Sequence, residues 1–506
     1  MISISDTPPF AAPPAPFNMA QYVLSRAAHM PQKEALCVLG ADAVHRWSFG
    51  ALEAAILGTA TGLLERGLTP GDRVLMRLGN TVEFPIVYLA CIAVGLVPVP
   101  TSSQLTEAEV DAIVAQIKPA LVVQDPTLAA PASGPAVLLA SALDALHSRP
   151  PAQYALGDPG RLAYIIFTSG TSGKPRAVCH AHRAIWARQM MFEGWYGLRE
   201  HDRILHAGAF NWTYTLGTGL MDPWTVGATA LIPAAGTPAD QLSALSACHD
   251  ASLFAAAPGV YRQMLKQDTL PAMPALRHGL SAGERLPETT RAHWETLTGT
   301  LIHEAYGMSE CSTFVSASPA HPAVPGTSGR AQEGRRVAIL GPDGPVPHGS
   351  EGVIAIHRAD PGLMVGYLDQ PDETAARFQG DWFLTGDTGC MAADGAITYL
   401  GRADDMMNAG GYRVSPLEVE AALNAHPDVI EAAAIELRVK ADASIIAAVY
   451  VADRPLDDTA LNGFASQRLA RYKMPRRYIY RDTLPKSANG KLNRKALRAQ
   501  YEADHG

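Results

Sequence analysis

Apolar and polar positions follow two periods along this chain, and the switch between them marks its parts. Residues 35–39 (Ala-Leu-Cys-Val-Leu) and 44–49 (Val-His-Arg-Trp-Ser-Phe) read as strands, residues 52–67 as an alanine- and leucine-rich helix, and residues 71–78 as a further strand. The same order recurs through residues 85–95, 111–116 and 120–123. Such alternation implies helices covering two mostly parallel sheets, an α/β architecture. From Val337 the pattern changes to short strands set off by turn residues, as in 336–340, 352–356 and 397–400, which reads as a small β subdomain. Beyond residues 402–405, stretches 416–425 and 456–469 read as helices, and 429–435 and 445–451 as strands. The expected organisation is therefore a large N-terminal domain over 1–401, a hinge over 402–405 and a small mobile α+β domain over 406–506. Residues before about Asn18 are proline-rich and predict a loose arm, followed by a short helix over 21–30.

Composition narrows the class. Across 506 residues, 47% are hydrophobic and 18% charged, which fits a globular chain with a substantial core and argues against disorder. A net charge of −8 and a pI near 6.1 leave no footprint of nucleic-acid binding. The dense basic positions, Arg471, Lys473, Arg476 and Arg477, then Lys491, Arg494, Lys495 and Arg498, are confined to the C-terminal region. Six cysteines lie far apart without a CxxC pair, which argues against a zinc site or a disulfide framework and points to a reducing cytoplasm. No signal peptide is recognisable at the N-terminus, and no apolar run approaches the roughly 20 residues of a membrane span.

The strongest chemical feature follows an apolar run, Tyr164-Ile165-Ile166-Phe167. It is a hydroxyl- and glycine-rich segment, Thr168-Ser169-Gly170-Thr171-Ser172-Gly173-Lys174-Pro175. Glycines let backbone N–H groups approach an anion, hydroxyls add donors and Lys174 adds charge, so the segment suits phosphate. An ordinary strand-to-helix turn has similar composition. A Walker loop is excluded by spacing: a glycine is needed where Thr168 stands, and a Ser or Thr where Pro175 stands.

Further motifs decide between these readings: Ser281-Ala282-Gly283-Glu284, Tyr306-Gly307-Met308-Ser309-Glu310, Gly326-Thr327-Ser328-Gly329-Arg330, Trp382-Phe383-Leu384-Thr385-Gly386-Asp387, Gly401-Arg402-Ala403-Asp404-Asp405, Gly410-Gly411-Tyr412-Arg413, and Pro485-Lys486-Ser487-Ala488-Asn489-Gly490-Lys491. Together with the phosphate segment and in this order, they resemble the adenylate-forming superfamily of acyl-CoA synthetases, luciferases and peptide-synthetase adenylation domains. The stretch from Met221 to Ala228 is similar to the acetate- and medium-chain branch of the acyl-CoA synthetases.

The resemblance implies an AMP-forming acid:CoA ligase that uses ATP, Mg2+ and coenzyme A on a carboxylic acid. On that pattern Thr168, Ser169, Gly170, Thr171, Ser172, Gly173 and Lys174 would hold the β- and γ-phosphates. Gly283 and Glu284 would run along adenine, Tyr306 would face it, and Gly307, Met308 and Ser309 would continue to the α-phosphate. Glu310 would ligate magnesium as a hard oxygen for a hard cation. Asp387 would accept from the ribose hydroxyls, with Arg402 beside it, and Lys491 would supply the main catalytic charge, alongside Glu310, Thr168 and Lys174. Gly410, Gly411, Tyr412 and Arg413 would form the CoA passage, with a hinge at Asp404. Phe210, Asn211, Trp212, Tyr214, Gly217, Ala282, Gly307 and Met308 would line the acyl pocket. No cation stands among these wall positions, which predicts a neutral, apolar acid, leaving short-chain, medium-chain, alicyclic and aromatic acids open, and homo-oligomerisation open as well. Each residue has a plainer reading: a core aromatic for Phe210 and Trp212, a helix N-terminal Glu for Glu310, a self-capping turn for Asp387 and a solvated loop for Lys491. The family's loop exit is Pro-Lys-Gly-Val, and this chain has Pro175-Arg176-Ala177-Val178 instead. A carrier-loading enzyme is the rival, acting on a carrier protein in trans, since no carrier segment follows the last motif.

Overall fold

Strands that are apolar on both faces must be covered on both faces, and Thr229–Pro233, Leu253–Ala256 and His278–Ala282 are buried along their whole length. They stand at the centre of the largest sheet. The computed structural model describes the chain except residues 1, 9, 41, 42, 169–175, 268, 403, 404, 410, 411, 441, 442, 487–491 and 506, and except the side chains of 408, 409, 412, 413, 439, 440, 443, 472 and 505. Among the described residues this sheet has nine strands, in the order Arg330–Ala331, Ser312–Ser316, Ile302–Met308, His278–Ala282, Leu253–Ala256, Arg203–Ala207, Thr229–Pro233, Glu34–Leu39, Val44–Ser48. From Ile302–Met308 to Glu34–Leu39 neighbouring strands run parallel, with antiparallel strands at both margins.

A second sheet, Val97–Pro100, Arg73–Arg77, Leu121–Gln124 and Ala136–Leu139, is parallel throughout. Helix Phe49–Leu64 starts at Ser48, whose hydroxyl accepts from Ala51 N, and Glu107–Ile117 starts with a capping box between Thr106 and Glu109. The chain is the expected α/β protein, with two mostly parallel sheets.

The β subdomain is antiparallel: Arg336–Gly341, Glu351–His357 and Trp382–Met391 form its middle, with Ile397–Arg402 alongside. Its margin corrects one expectation. The proline-rich opening is not a loose arm: Ile4–Asp6 pairs with Arg336–Ala338, Asp6 meets Arg336 Nε at 2.7 Å, and Trp186 Nε1 donates to Ala11 O at 2.7 Å. Phe10 lies over Gly334, where a Cβ would come within 2.3 Å of its ring. Deleting the first 12 residues is therefore expected to lower the stability of the subdomain by roughly 2–4 kcal/mol through lost ladder bonds and apolar cover. A urea midpoint unchanged by the deletion would contradict this.

The C-terminal region has its own sheet, Glu431–Lys440, Ala443–Val451 and Arg477–Tyr480, packed with helices Pro416–Asn424, Asp458–Ser466 and Arg494–His505. Its two apolar clusters contain only residues from Met407 onward, and the other clusters contain nothing beyond Tyr399. Among the described residues no helix is long and apolar enough to cross a membrane.

Candidate active site

Parallel sheets place ligands outside the carboxyl ends of their strands, and there the chain forms a cleft of about 720 Å3. His278–Ala282 ends in Gly283, Ile302–Met308 ends in the Tyr306 motif, and Arg203–Ala207 leads to Asn211 and Trp212; all reach the cleft. Gly283 turns at φ +99, a conformation that glycine adopts without strain. A bulge between Tyr306 and Gly307 re-aims the strand end. Position 307 has to be glycine, since a Cβ there would lie 2.2 Å from the Ser312 carbonyl oxygen.

The phosphate segment itself, 169–175, and with it Ser169, Gly170, Thr171, Ser172, Gly173 and Lys174, falls outside the described residues. Its ends are defined. Thr168 pairs with Arg176 across antiparallel strands Leu162–Thr168 and Arg176–Ala181, so it joins strand to strand and does not open a helix. Gly366–Tyr367 adds a third strand beside Val178 and Cys179. Arg176 meets Glu373 at 2.5 Å and lies over the Tyr367 ring, and Thr168 faces the cleft.

Glu310 is not at a helix N-terminus; it lies in the turn between Ile302–Met308 and Ser312–Ser316. Its carboxylate is 6% exposed, lines the cleft and accepts from the Tyr367 hydroxyl at 2.8 Å through Oε1. Magnesium usually takes one or two carboxylates and completes its octahedron with phosphate and water oxygens, so a single carboxylate at the edge of the cleft that Thr168 also lines fits it. Among the described residues the one cluster of three metal-ligating side chains, Glu83, Asp144 and His147, does not line this cleft.

Asp387 lies within strand Trp382–Met391, where Tyr306 OH donates to Oδ2 at 2.5 Å and Arg402 Nε stands 3.3 Å from Oδ1. Tyr306 packs against Phe314 and Tyr399, each with ring centroids 5.2 Å apart. Tyr306, Asp387 and Arg402 thus form one connected wall, with Gly283 and Glu284 across the same cleft. Ser309 accepts at its carbonyl from His180 Nε2, 2.7 Å away.

Of the proposed acyl-pocket residues, Asn211, Trp212, Gly307 and Met308 line the cleft. Phe210 is buried against Phe84, Tyr214 is buried with its hydroxyl donating to Leu280 O, and Ala282 is 3% exposed. Gly217 sits in a π-wound turn, Thr215–Met221, directly against Arg188. Lys491, Asp404, Gly410 and Gly411 fall outside the described residues; Tyr412 and Arg413 lie in the short strand Tyr412–Val414, paired with Met407–Ala409.

Several cleft residues carried no motif in the sequence. Glu304 lines it, with burial pushing its carboxyl up to about 7 against the opposing pull of Arg291, which donates to it at 2.9 Å. The C-terminal region contributes Arg494, Lys495 and Arg498 from the start of helix Arg494–His505. Arg494 reaches Glu420 at 2.6 Å and Asp405 at 3.5 Å. Their basic run was legible; their placement over the cleft was not.

Comparison with known proteins bears on this arrangement. Residues 24–368 match the family described as AMP-binding enzyme, and residues 418–491 match the AMP-binding enzyme C-terminal domain. Acyl-coenzyme A synthetase ACSM2A, mitochondrial, of Homo sapiens is 32% identical, covering 96% of this chain and 91% of its own. Benzoate–CoA ligase of Thauera aromatica is also 32% identical, over 86% of each chain. Among solved structures, a benzoate CoA ligase from Burkholderia xenovorans LB400 aligns with a TM-score of 0.85 at 28% identity, over 95% of this chain and 100% of the other. ATP-bound MatB from Rhodopseudomonas palustris aligns at 0.88 and 26% identity, over 97% and 99%.

Proposed function

Since this chain belongs to the AMP-binding enzyme family, we propose that it is an ATP-dependent carboxylic acid:CoA ligase acting on a neutral, largely apolar acid. A carboxylate oxygen attacks the α-phosphorus of ATP, the bond to the bridging oxygen breaks, and pyrophosphate leaves. The CoA thiolate then attacks the acyl carbon of the acyl-adenylate, releasing AMP and forming the thioester. The observation that carries this reading is the convergence of Thr168, Gly283, Tyr306, Ser309, Glu310, Asp387 and Arg402 on one cleft at the strand ends. The relatives are acyl-CoA and benzoate–CoA ligases by name, which supports CoA over a carrier protein as acceptor.

Within this reading the segment 168–174 seats the β- and γ-phosphates, and the wall of Tyr306, Asp387 and Arg402 orients the nucleoside. Glu310 would hold Mg2+, whose charge offsets that of the triphosphate as the two anions meet. Domains 1–401 and 406–506 flank a hinge at Asp404, and Gly410 and Gly411 let the pantetheine arm pass. Six free cysteines support a reducing, cytoplasmic setting.

The test is pyrophosphate release from a panel of acids with MgATP, with and without CoA. Glu310→Gln keeps the shape but removes the negative charge and one of the two ligating oxygens, so it is expected to raise the magnesium concentration needed for half-maximal acid-dependent ATP–pyrophosphate exchange by roughly 10–100-fold. An unchanged magnesium response would remove Glu310 from the metal.

A further inference from the structure

One charged contact at the rim of the cleft joins the large N-terminal part of the chain to the small C-terminal one, and its two sides are unequal. Arg262 stands in helix Pro258–Met264, just after the strand that ends at Ala256, and lines the cleft. It donates through Nη1 to Glu431 Oε1 at 3.4 Å. Glu431 opens the sheet of the small part and also lines the cleft. Its other oxygen, Oε2, is held by Lys486 of the small part at 2.9 Å. The carboxylate therefore has a second partner that would travel with it. Arg262 does not: among the described residues its guanidinium meets no other carboxylate.

The other paired arginines of the cleft differ in this respect. Arg176 is held by Glu373 and Arg402 by Asp387, carboxylates of the large part that stay in place if the small part turns. Arg494 is bound by Glu420, and both belong to the small part and would leave together. Of these four, Arg262 alone gives up its counter-charge when the parts separate. The pose in which it is neutralised suits the first half-reaction, since Leu492 and Asn493, directly after Lys491, line the cleft in it.

Coenzyme A enters for the second half-reaction as a polyanion. Its thiol must reach the acyl carbon inside the cleft, and a diphosphate and a ribose phosphate trail behind on the pantetheine arm. A chain of net charge −8 repels such a ligand overall, so a local cation is needed where the phosphates arrive. A guanidinium suits them, being always charged and offering a planar fork of donors. Resting on the ligase reading and the hinge above, we infer that Arg262 exchanges counter-ions between the half-reactions, holding Glu431 while the acyl-adenylate forms and a phosphate of CoA once the small part has turned. The carboxylate keeps the cation occupied before adenylation, and the motion hands it to the second substrate.

The experiment supplies the full chain with a synthetic acyl-adenylate, that of the acid releasing pyrophosphate fastest in the panel above, and compares thioester formation from CoA with that from pantetheine, which has the same thiol arm and no phosphate. The Arg262 side chain is 29% exposed, so its replacement spares the core, and melting temperatures verify that each variant is folded. Arg262→Gln should lower kcat/KM for CoA by roughly tenfold, the scale of a hydrogen bond to a charged group, and leave kcat/KM for pantetheine within about twofold of the parent. Arg262→Lys, which keeps the charge, should recover part of the loss. Glu431→Gln removes the competing carboxylate and keeps the cation, so kcat/KM for CoA should stay at or above that of the parent. A loss falling equally on CoA and pantetheine, no loss with CoA, or a loss in Glu431→Gln that matches Arg262→Gln would show a contact that only holds the pose, and would overturn the inference while leaving the ligase reading in place. A parent chain that forms no thioester from CoA with any adenylate would overturn the ligase reading itself, and this inference with it.

Discussion

Replacing Lys491 with alanine is expected to slow acyl-adenylate formation by a factor on the order of 10²–10³, while supplied acyl-adenylate and CoA should still give thioester. The residue lies outside the described part of the chain, but its surroundings are defined. Lys486 and Leu492 form a bridge, Asn493 N donates to Pro485 O at 2.8 Å, and Leu492, Asn493 and Arg494 line the cleft. These neighbours border the cleft in which carboxylate and α-phosphate would meet and negative charge would develop. Acid-dependent ATP–pyrophosphate exchange reads the first half-reaction, and thioester yield from synthetic acyl-adenylate reads the second. Gly411→Leu should show the reverse pattern. Equal loss of both half-reactions in either variant would overturn the assignment of one residue to each step, and with it the hinge at Asp404.

Asp360→Ala is expected to destabilise the chain by roughly 3–5 kcal/mol, because it strands a buried guanidinium. The Arg335 and Asp360 side chains are 0% and 1% exposed. Asp360 Oδ1 accepts from Arg335 and from Gly362 N, while Arg335 Nη2 donates to Thr313 O at 3.1 Å. The same loop delivers Met364 N to Glu310 O at 2.7 Å. The pair therefore fixes the turn on which Glu310 sits, and the variant should lose magnesium response along with stability. Urea denaturation checks the first effect and metal titration of pyrophosphate exchange the second. A variant within about 1 kcal/mol of the parent would show that the pair is structurally dispensable.

The sequence was informative wherever chemistry forces a local pattern. Tyr306 to Glu310 and Gly386-Asp387 are short, rigid and chemically distinctive, and they meet at the cleft although some 80 residues separate Tyr306 from Asp387. The parallel sheets were legible from the alternation of strand and helix patterns. What stayed hidden depends on partners remote in the chain. Ile4–Asp6 is too short and too close to prolines to announce itself, and becomes a strand only against Arg336–Ala338. Arg188 and Asp222 read as ordinary charged positions, because nothing local shows that a charge will be buried and neutralised by another 34 residues away. The partner of Glu310, Tyr367, belongs to no motif.

The boundary between the two parts of the chain has a mechanical meaning. No apolar cluster of the described residues bridges it, whereas a charged pair does: Arg262 of the large part meets Glu431 of the small one at 3.4 Å, and within the small part Lys486 already meets the same carboxylate at 2.9 Å. A lid seated on oil must expose that oil in order to turn, which costs energy in proportion to area. A lid seated on partly solvated ions can trade one counter-charge for another or for water, at little cost per pair. On the hinge proposed above, the small domain would be geared to swing: its own interior would stay shut through the motion, and the contact it broke would be one that water replaces.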